Sequence, residues 1–578
     1  MNNNEYLILD SIINNQFHNQ REIATKNNIS LGLVNKTLTS LKKQNIIDNS
    51  NHLINQNIIA KNVNAIILAA GPATRLTPIS RNISKAFLKI NNEVLIERLI
   101  KQLKEAGIDN IKIIIGYQKE KFDYLVDKYH VDLIINNKYK DYSNAYSLAL
   151  AKEELNNTYI IPCDIYLEEN IFIRNNVSSW YGLKKTVDQN AYVTLNKKNE
   201  VIKTAGEGFE TCGGLMFIDK ISASKYYQIL KNNTDYQCYY DDLLFENDKM
   251  FIPALFLDGV REFNSYNDVI SYDYNSESLE NETLNIIKNV FKVECKDIEK
   301  IELLKAGMTN NSFIFTIKNK RYIMRMPGAG TDQLINRHQE KAVYDVISPL
   351  NISDKVLYFN PDNGYKITEF IEYSHSLDPN NKQELSNCMN LLKKLHTGNL
   401  TVKHHFKIFE LIDFYEDLMK HRSMYPDYTK TKTNIMKLKK VIDSFDIKYV
   451  LCHIDANHDN FIIDNQGNIR LLDFEYAGMQ DKDLDIAMFI IYALLDRKGA
   501  DEVIDIYYEY QCPDKIRYKI YAYMAIAGML WSNWCEFKYQ LGIDFGEYSY
   551  RQYRYAKDYF QIIKNETKNI KEFSSLGE

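Results

Sequence analysis

The densest group of chemically capable residues is His453-Ile454-Asp455-Ala456-Asn457-His458-Asp459-Asn460, followed by the apolar run Phe461–Ile463, a polar turn at 465–468, a second apolar run at 469–472 and then Asp473-Phe474-Glu475. Asp455 follows the apolar stretch 449–452, on a loop where a carboxylate can accept the proton of a substrate hydroxyl. The intervening hairpin brings Asn460 and Asp473 together, and two oxygen donors there can share Mg²⁺ with the phosphates of ATP. His453 reads as a brace for the loop rather than a base or a metal ligand.

A second group opens with residues 63–68, a buried strand running into Ala69-Ala70-Gly71-Pro72-Ala73-Thr74-Arg75-Leu76-Thr77-Pro78, with Ser84-Lys85-Ala86-Phe87-Leu88 behind it. Small residues at the end of a parallel strand let backbone N–H groups approach phosphate. Leu68, Ala69, Ala70 and Gly71 are therefore candidate nucleotide contacts, while Arg75 and Lys85 supply charge at two points. Further on, the strand Thr158–Pro162 ends just before Asp164, at the carboxyl edge where ligands bind in α/β sheets. An aspartate there can hold Mg²⁺ against an α-phosphate.

The middle string resembles the signature LAAGxGxRLxPxTxxxPK of the nucleoside triphosphate transferases that act on sugar 1-phosphates and phosphocholine. Ala73 stands at the second Gly of that signature and Ser84 at the Pro before the lysine. Residues 136–148 resemble the segment that leads, in phosphocholine cytidylyltransferases, into the helix beside the nucleotide base, which implies a base contact for Asn144. Tyr240 and Asp241 match the aromatic and the acid that the family places near the choline headgroup. At 261–265 the usual metal-binding Asp is replaced by Asn264, and Glu262 is the available substitute.

The HxDxxxxN and DFE arrangement resembles the choline/ethanolamine kinases and aminoglycoside phosphotransferases, relatives of the protein kinases, over about residues 300–555. That resemblance implies a phosphate-covering turn at 304–312, Arg325 as the basic residue on the phosphates, Glu340 as its helix partner, and an adenine hinge at Glu369, Phe370 and Ile371. For the acceptor, Trp531 and Trp534 lie three residues apart and so share a helix face, with Tyr548 and Tyr550 after them. A quaternary ammonium donates no hydrogen bond, so ring faces and a nearby carboxylate, Glu475, would have to hold it.

These groups need separate scaffolds, and 578 residues suffice for three to five domains at roughly 100 to 200 residues each. The expected architecture is multidomain, α/β and α+β: a winged helix-turn-helix over 1–60, a Rossmann-like nucleotidyltransferase sheet over 63–280, and a kinase-like choline kinase/aminoglycoside phosphotransferase fold over 284–578. Helices are expected from Gln20, from Ser30 and over 93–106 and 521–534, strands at 111–115, 131–135 and 158–162, and a two-stranded wing from Ile46, Ile47, Leu53 and Ile54. Lys26, Lys36, Lys42 and Lys43 have no acidic residue between them, which makes DNA a candidate partner of residues 1–60.

Composition narrows the rest. Apolar residues at 45% and charged residues at 25% exclude a largely disordered or fibrous chain, and a net charge of -5 leaves no global basic field. The eight cysteines are scattered, without zinc or disulfide spacing. The N-terminus lacks the order of a signal peptide, and no apolar run nears the roughly 18 to 20 residues of a membrane span, so the chain is expected in the cytoplasm, away from membranes. The resemblances together imply an enzyme that phosphorylates choline with ATP and then joins phosphocholine to CMP from CTP, giving CDP-choline and pyrophosphate. Ethanolamine or a sugar in place of choline, and a DNA-binding regulator sensing choline metabolites, are the alternatives.

Overall fold

The computed structural model describes all residues except 1–2, 15–16, 18, 28, 80–82, 246–249, 251, 305–309, 329–334, 420 and 577–578. The chain forms two compact units, residues 1–301 and 302–578.

The first unit opens with helices Asn3–Ile13, Gln20–Asn27 and Leu31–Lys43. Ser30 caps the third, its Oγ accepting from the Leu33 N–H at 3.2 Å. Ile8, Leu9, Ile12, Ile23, Val34, Leu38, Leu41 and Ile47 bury a small core between the helices. The expected wing shrinks to one antiparallel bridge, Ile47 with Leu53. Backbone bonds on either side of it, Asp48 N–H to His52 O at 2.8 Å and Ile54 N–H to Ile46 O at 2.9 Å, make this a short hairpin, and the His52 N–H bond to Asp48 Oδ1 at 2.7 Å braces its turn. Tyr6, on the other side of the first helix, is buried in the core of the sheet that follows.

That sheet has seven strands. Asn64–Ala69 lies in its middle, parallel to Ile111–Ile115 on one side and to Thr158–Pro162 on the other, with Leu68 opposite both Ile114 and Pro162. Asp132–Ile135 extends it parallel; the long strands Val201–Ile218 and Trp180–Leu195 add antiparallel, and Ala254–Phe256 closes the far edge. All of Asn64–Ala69 is buried, as a strand covered on both faces requires. The first helix of the sheet spans Leu95–Glu105, because Glu93–Val94 pairs with Lys89–Ile90 instead of joining it. Its Leu95, Ile96, Leu99, Ile100 and Leu103 follow the helical period and are buried.

The boundary to the second unit falls later than the sequence suggested. Helix Glu282–Phe291 and the turn after it stay with the first unit, where the Tyr266 hydroxyl donates to the Cys295 carbonyl at 2.7 Å. After strand Glu299–Leu303, on which the boundary falls, the second unit has the antiparallel strands Asn310–Ile317, Lys320–Pro327, Lys366–Glu369 and Val356–Phe359 in that sheet order. Helix Arg337–Ile347 is inserted between Lys320–Pro327 and Val356–Phe359. The remainder is helical, interrupted by the short strands Val450–Cys452, Phe461–Ile463, Ile469–Leu471 and Gly478–Gln480 that carry the catalytic-type loop.

The central helix of this remainder is longer than expected, Asp514–Gln540, and nearly all of 519–536 is buried. It lies against Glu547–Glu566 at Gly528, where a Cβ would stand 2.6 Å from the Gln552 carbonyl oxygen. Among the described residues no helix is long and apolar enough to cross a membrane.

Candidate active sites

The carboxyl ends of the parallel strands in the first unit open into a cleft of about 830 Å³. Leu68, Ala70, Gly71, Arg75, Lys85, Asn144, Asp164, Tyr240, Asp241, Glu262 and Asn264 all line it, so the structure gathers residues that the sequence spreads over nearly two hundred positions. Ala69 is buried in the strand below. A Cβ on Gly71 would meet nothing within 4 Å, which keeps the turn open to a phosphate. Ala73 adopts φ 55°, in the left-handed region, which accounts for the Gly of the signature at that position. Ser84 is buried, its Oγ has no hydrogen-bond partner among the described residues, and its φ of -68° is the value a proline would hold.

Lys85 is held from two sides: Nζ donates to Asp164 Oδ2 at 2.8 Å and to Asn264 Oδ1 at 2.7 Å. Asn264 in turn donates through Nδ2 to Glu262 Oε2 at 3.2 Å. Burial pushes the Glu262 carboxyl up to about 7 against the opposing pull of Lys184, with the charge of Asp164 adding to the rise. Arg75 stands exposed at the cleft wall.

Elsewhere in the cleft Asn144 Oδ1 accepts from the Tyr240 N–H at 2.9 Å, so its side chain holds the Tyr240 segment in place. The Tyr240 hydroxyl donates to the Gly214 carbonyl at 2.8 Å. Asp241 receives the hydroxyl of Tyr181 at 2.8 Å and that of Tyr192; burial raises its carboxyl and the two hydroxyls offset part of that rise.

In the second unit the catalytic-type residues converge. Asn460 Nδ2 donates to the Asp455 carbonyl at 2.9 Å and to its Oδ2 at 3.2 Å. The Asp455 carboxyl is raised well above the carboxylate range, first by burial and then by the charges of Asp473 and Glu475. Arg325 reaches Glu340 through two nitrogens, at 2.5 and 2.9 Å, and Asp473 Oδ1 at 3.4 Å. Glu340 is pulled down to about 2: burial opposes this, but Arg325, Lys366 and Arg337 together prevail. The turn expected to cover the phosphates, 305–309, lies outside the described residues, although its flank Asn310 is described.

The residues expected as a hinge follow the strand Lys366–Glu369, where the Glu369 carboxylate is committed to Lys320 and Lys355, both at 2.8 Å, and the Ile371 carbonyl accepts the Ser374 hydroxyl at 2.8 Å.

Glu475 lines a cavity of about 430 Å³ together with Tyr415, Tyr476, Phe406 and Phe414. Trp531 meets this group through Tyr476, ring centroids 5.9 Å apart, and also contacts Tyr492 at 5.6 Å. Trp534 lies one layer further back, covered by Phe545 at 4.9 Å and with Lys538 Nζ 5.6 Å from its ring. Tyr550 is 57% exposed and does not join them. In helix Glu547–Glu566 two residues correspond to about 200° of rotation, so with Tyr548 half-buried on one side Tyr550 turns outward.

Several bracing residues escaped sequence reasoning. Asp485 accepts from the N–H groups of His453 at 2.7 Å and Ile454 at 2.6 Å, and His396 Nε2 lies 2.9 Å from the same carboxylate. His453 Nε2 is 2.8 Å from the Leu472 carbonyl, a loop-bracing contact. His396, Cys452 and Asp485 come within 4.8 Å of one another despite their distance in sequence, but the histidine and the carboxylate already hold each other. Arg337 and Tyr192 had no local signal: only the fold shows that one touches Glu475 and the other Asp241.

The chain matches the family model for nucleotidyl transferases at residues 64–200 and that for choline/ethanolamine kinases at residues 301–525. It is 37% identical over 231 residues to choline-phosphate cytidylyltransferase of Streptococcus pneumoniae, which covers 38% of this chain and 99% of the relative. Over 266 residues it is 27% identical to protein LicA of Haemophilus influenzae, covering 43% of this chain and 76% of the relative. The crystal structure of choline kinase LicA from Streptococcus pneumoniae matches 48% of this chain and 98% of its own, at 28% identity and a TM-score of 0.43.

Proposed function

Since the chain belongs to the choline-phosphate cytidylyltransferase family and continues into a choline/ethanolamine kinase segment, we propose that it makes CDP-choline from choline in two steps. The observation that supports this reading is the gathering, on one chain, of Arg325, Glu340, Asn460 and Asp473 near Asp455 and of Lys85 with Asp164 in the strand-end cleft.

In the first step the choline hydroxyl gives its proton to Asp455 while its oxygen bonds to the γ-phosphorus of ATP, and the bond to ADP breaks. The raised carboxyl of Asp455 suits a group that must bind a proton. Arg325, oriented by Glu340, offers its guanidinium to the phosphates. In the second step a phosphate oxygen of phosphocholine attacks the α-phosphorus of CTP and pyrophosphate leaves; Lys85, Arg75 and the backbone of Ala69, Ala70 and Gly71 bear the charge. Tyr240 and Asp241 would meet the ammonium end.

The donor sets fit Mg²⁺, which prefers oxygen. Asn460 spends its N–H on Asp455 and keeps its amide oxygen, while its backbone carbonyl accepts the N–H of Leu472, the neighbour of Asp473, at 2.8 Å. In the cleft Asp164 and Glu262 are the carboxylates, since the Asn264 oxygen serves Lys85. Bound at these places, Mg²⁺ would neutralise phosphate charge. The rings of Tyr415, Tyr476, Phe406 and Phe414 around Glu475 favour choline over ethanolamine, because an N–H donor gains nothing from ring faces that a methylated cation does not.

A DNA contact through residues 1–60 has no comparable support, for that stretch carries five basic against four acidic side chains. The test is turnover of the full chain with ATP and Mg²⁺: choline-stimulated ADP release exceeding that with ethanolamine or galactose is expected, and the reverse order would replace choline as the substrate.

A further inference from the structure

Helix Arg337–Ile347 starts with a cation in its first turn, where the helix dipole disfavours positive charge. Arg337 is nonetheless buried, 6% exposed, so its guanidinium is kept there by other partners. Nη1 donates to Glu340 Oε2 at 2.9 Å and to Glu475 Oε2 at 3.1 Å, and Nη2 donates to Asn310 Oδ1 at 2.8 Å. Asn310 closes the ring by donating to the same Glu475 oxygen at 3.1 Å.

Glu340 Oε2 also accepts from Arg325, which extends to Asp473. The chain Asp473, Arg325, Glu340, Arg337, Glu475, half-buried at Asp473 and buried from Arg325 onward, therefore runs without interruption from the nucleotide side to the acceptor side. Its three carboxylates face two guanidinium groups, with Lys366 Nζ 3.6 Å from Glu340. A cation arriving at Glu475 competes with Arg337 for that carboxylate and leaves more of the guanidinium to Glu340. Glu340 then shares its oxygens differently with Arg325, the group that faces the phosphates. Like charges buried this closely respond to one another strongly.

We propose that Arg337 is a positioning residue that makes acceptor binding and nucleotide binding in the second unit reinforce each other. This rests on the reading above, in which Glu475 meets the ammonium and Arg325 the phosphates. Coupling between sites is reciprocal and commonly amounts to about 5- to 150-fold in affinity.

The experiment is equilibrium binding of a non-hydrolysable ATP analogue with Mg²⁺ to the full chain, with and without saturating choline. Choline should tighten analogue binding about fivefold or more in the native protein. Arg337→Lys keeps the charge but cannot bridge both carboxylates, and its ratio should fall to within about twofold of unity while the affinity without choline changes less. Should that variant unfold, Asn310→Ala, which removes one leg of the ring, should still lower the ratio. A ratio preserved in the variants, or absent from the native protein that binds choline, overturns the coupling. A native protein that neither binds nor phosphorylates choline overturns instead the reading on which it rests.

Discussion

Ala73 shows how one side chain records the constraint of its site. A non-glycine residue in the left-handed region costs about 1 to 2 kcal/mol, and glycine returns part of that in the unfolded chain. Ala73→Gly is therefore expected to raise stability by about 0.5 to 1 kcal/mol without loss of cytidylyl transfer, measured by thermal unfolding; a lowered melting temperature would contradict the strain argument. Glu340 gives a second residue-level expectation. Its carboxyl lies at about 2 when folded and near 4.5 when unfolded, so its contribution is fully present above about pH 4.5 and is lost as pH falls toward 2. At roughly 1.4 kcal/mol per pH unit this is about 3 kcal/mol, and Glu340→Gln should remove that slope from urea unfolding between pH 2.5 and 5 even though it is less stable at neutral pH. Parallel slopes would refute it. Asp455, Asn460 and Asp473 were legible in sequence because a single hairpin joins them. Arg337 and Asp485 were not, since each reaches its partner only after helices distant in sequence have packed.

At the scale of elements, the central helix of the second unit is fixed against its neighbour where Gly528 meets Gln552. A methyl group there has no room, and Gly528→Ala should cost about 1 to 3 kcal/mol and raise the choline KM more than the ATP KM, because the same helix carries Trp531. Equal changes in the two KM values would show that the helix pair does not position the acceptor site. The strands and helices of the sheet were legible from apolar runs and helical spacing. Of the wing only a short hairpin forms, Ile46 and Ile47 facing Leu53 and Ile54 around the turn at 48–52. Tyr550 follows the Trp pair in sequence and was grouped with it, but on helix Glu547–Glu566 it faces outward, 57% exposed. The boundary near 280 followed a change in composition, whereas packing of Cys295 against Tyr266 carries the first unit on to 301.

For the whole molecule, the account requires that two chemistries reside on one chain yet depend on different residues. The full chain given choline, ATP, CTP and Mg²⁺ should accumulate phosphocholine and then CDP-choline with pyrophosphate. The most direct measurement adds two variants to that reaction and follows both products. Asp455→Asn should abolish phosphocholine formation, by about 100-fold or more, yet still convert added phosphocholine to CDP-choline; Lys85→Ala should do the opposite, making phosphocholine and stopping there. If either variant loses both steps while remaining folded, or if the native chain never produces CDP-choline from choline, the two-site account is wrong.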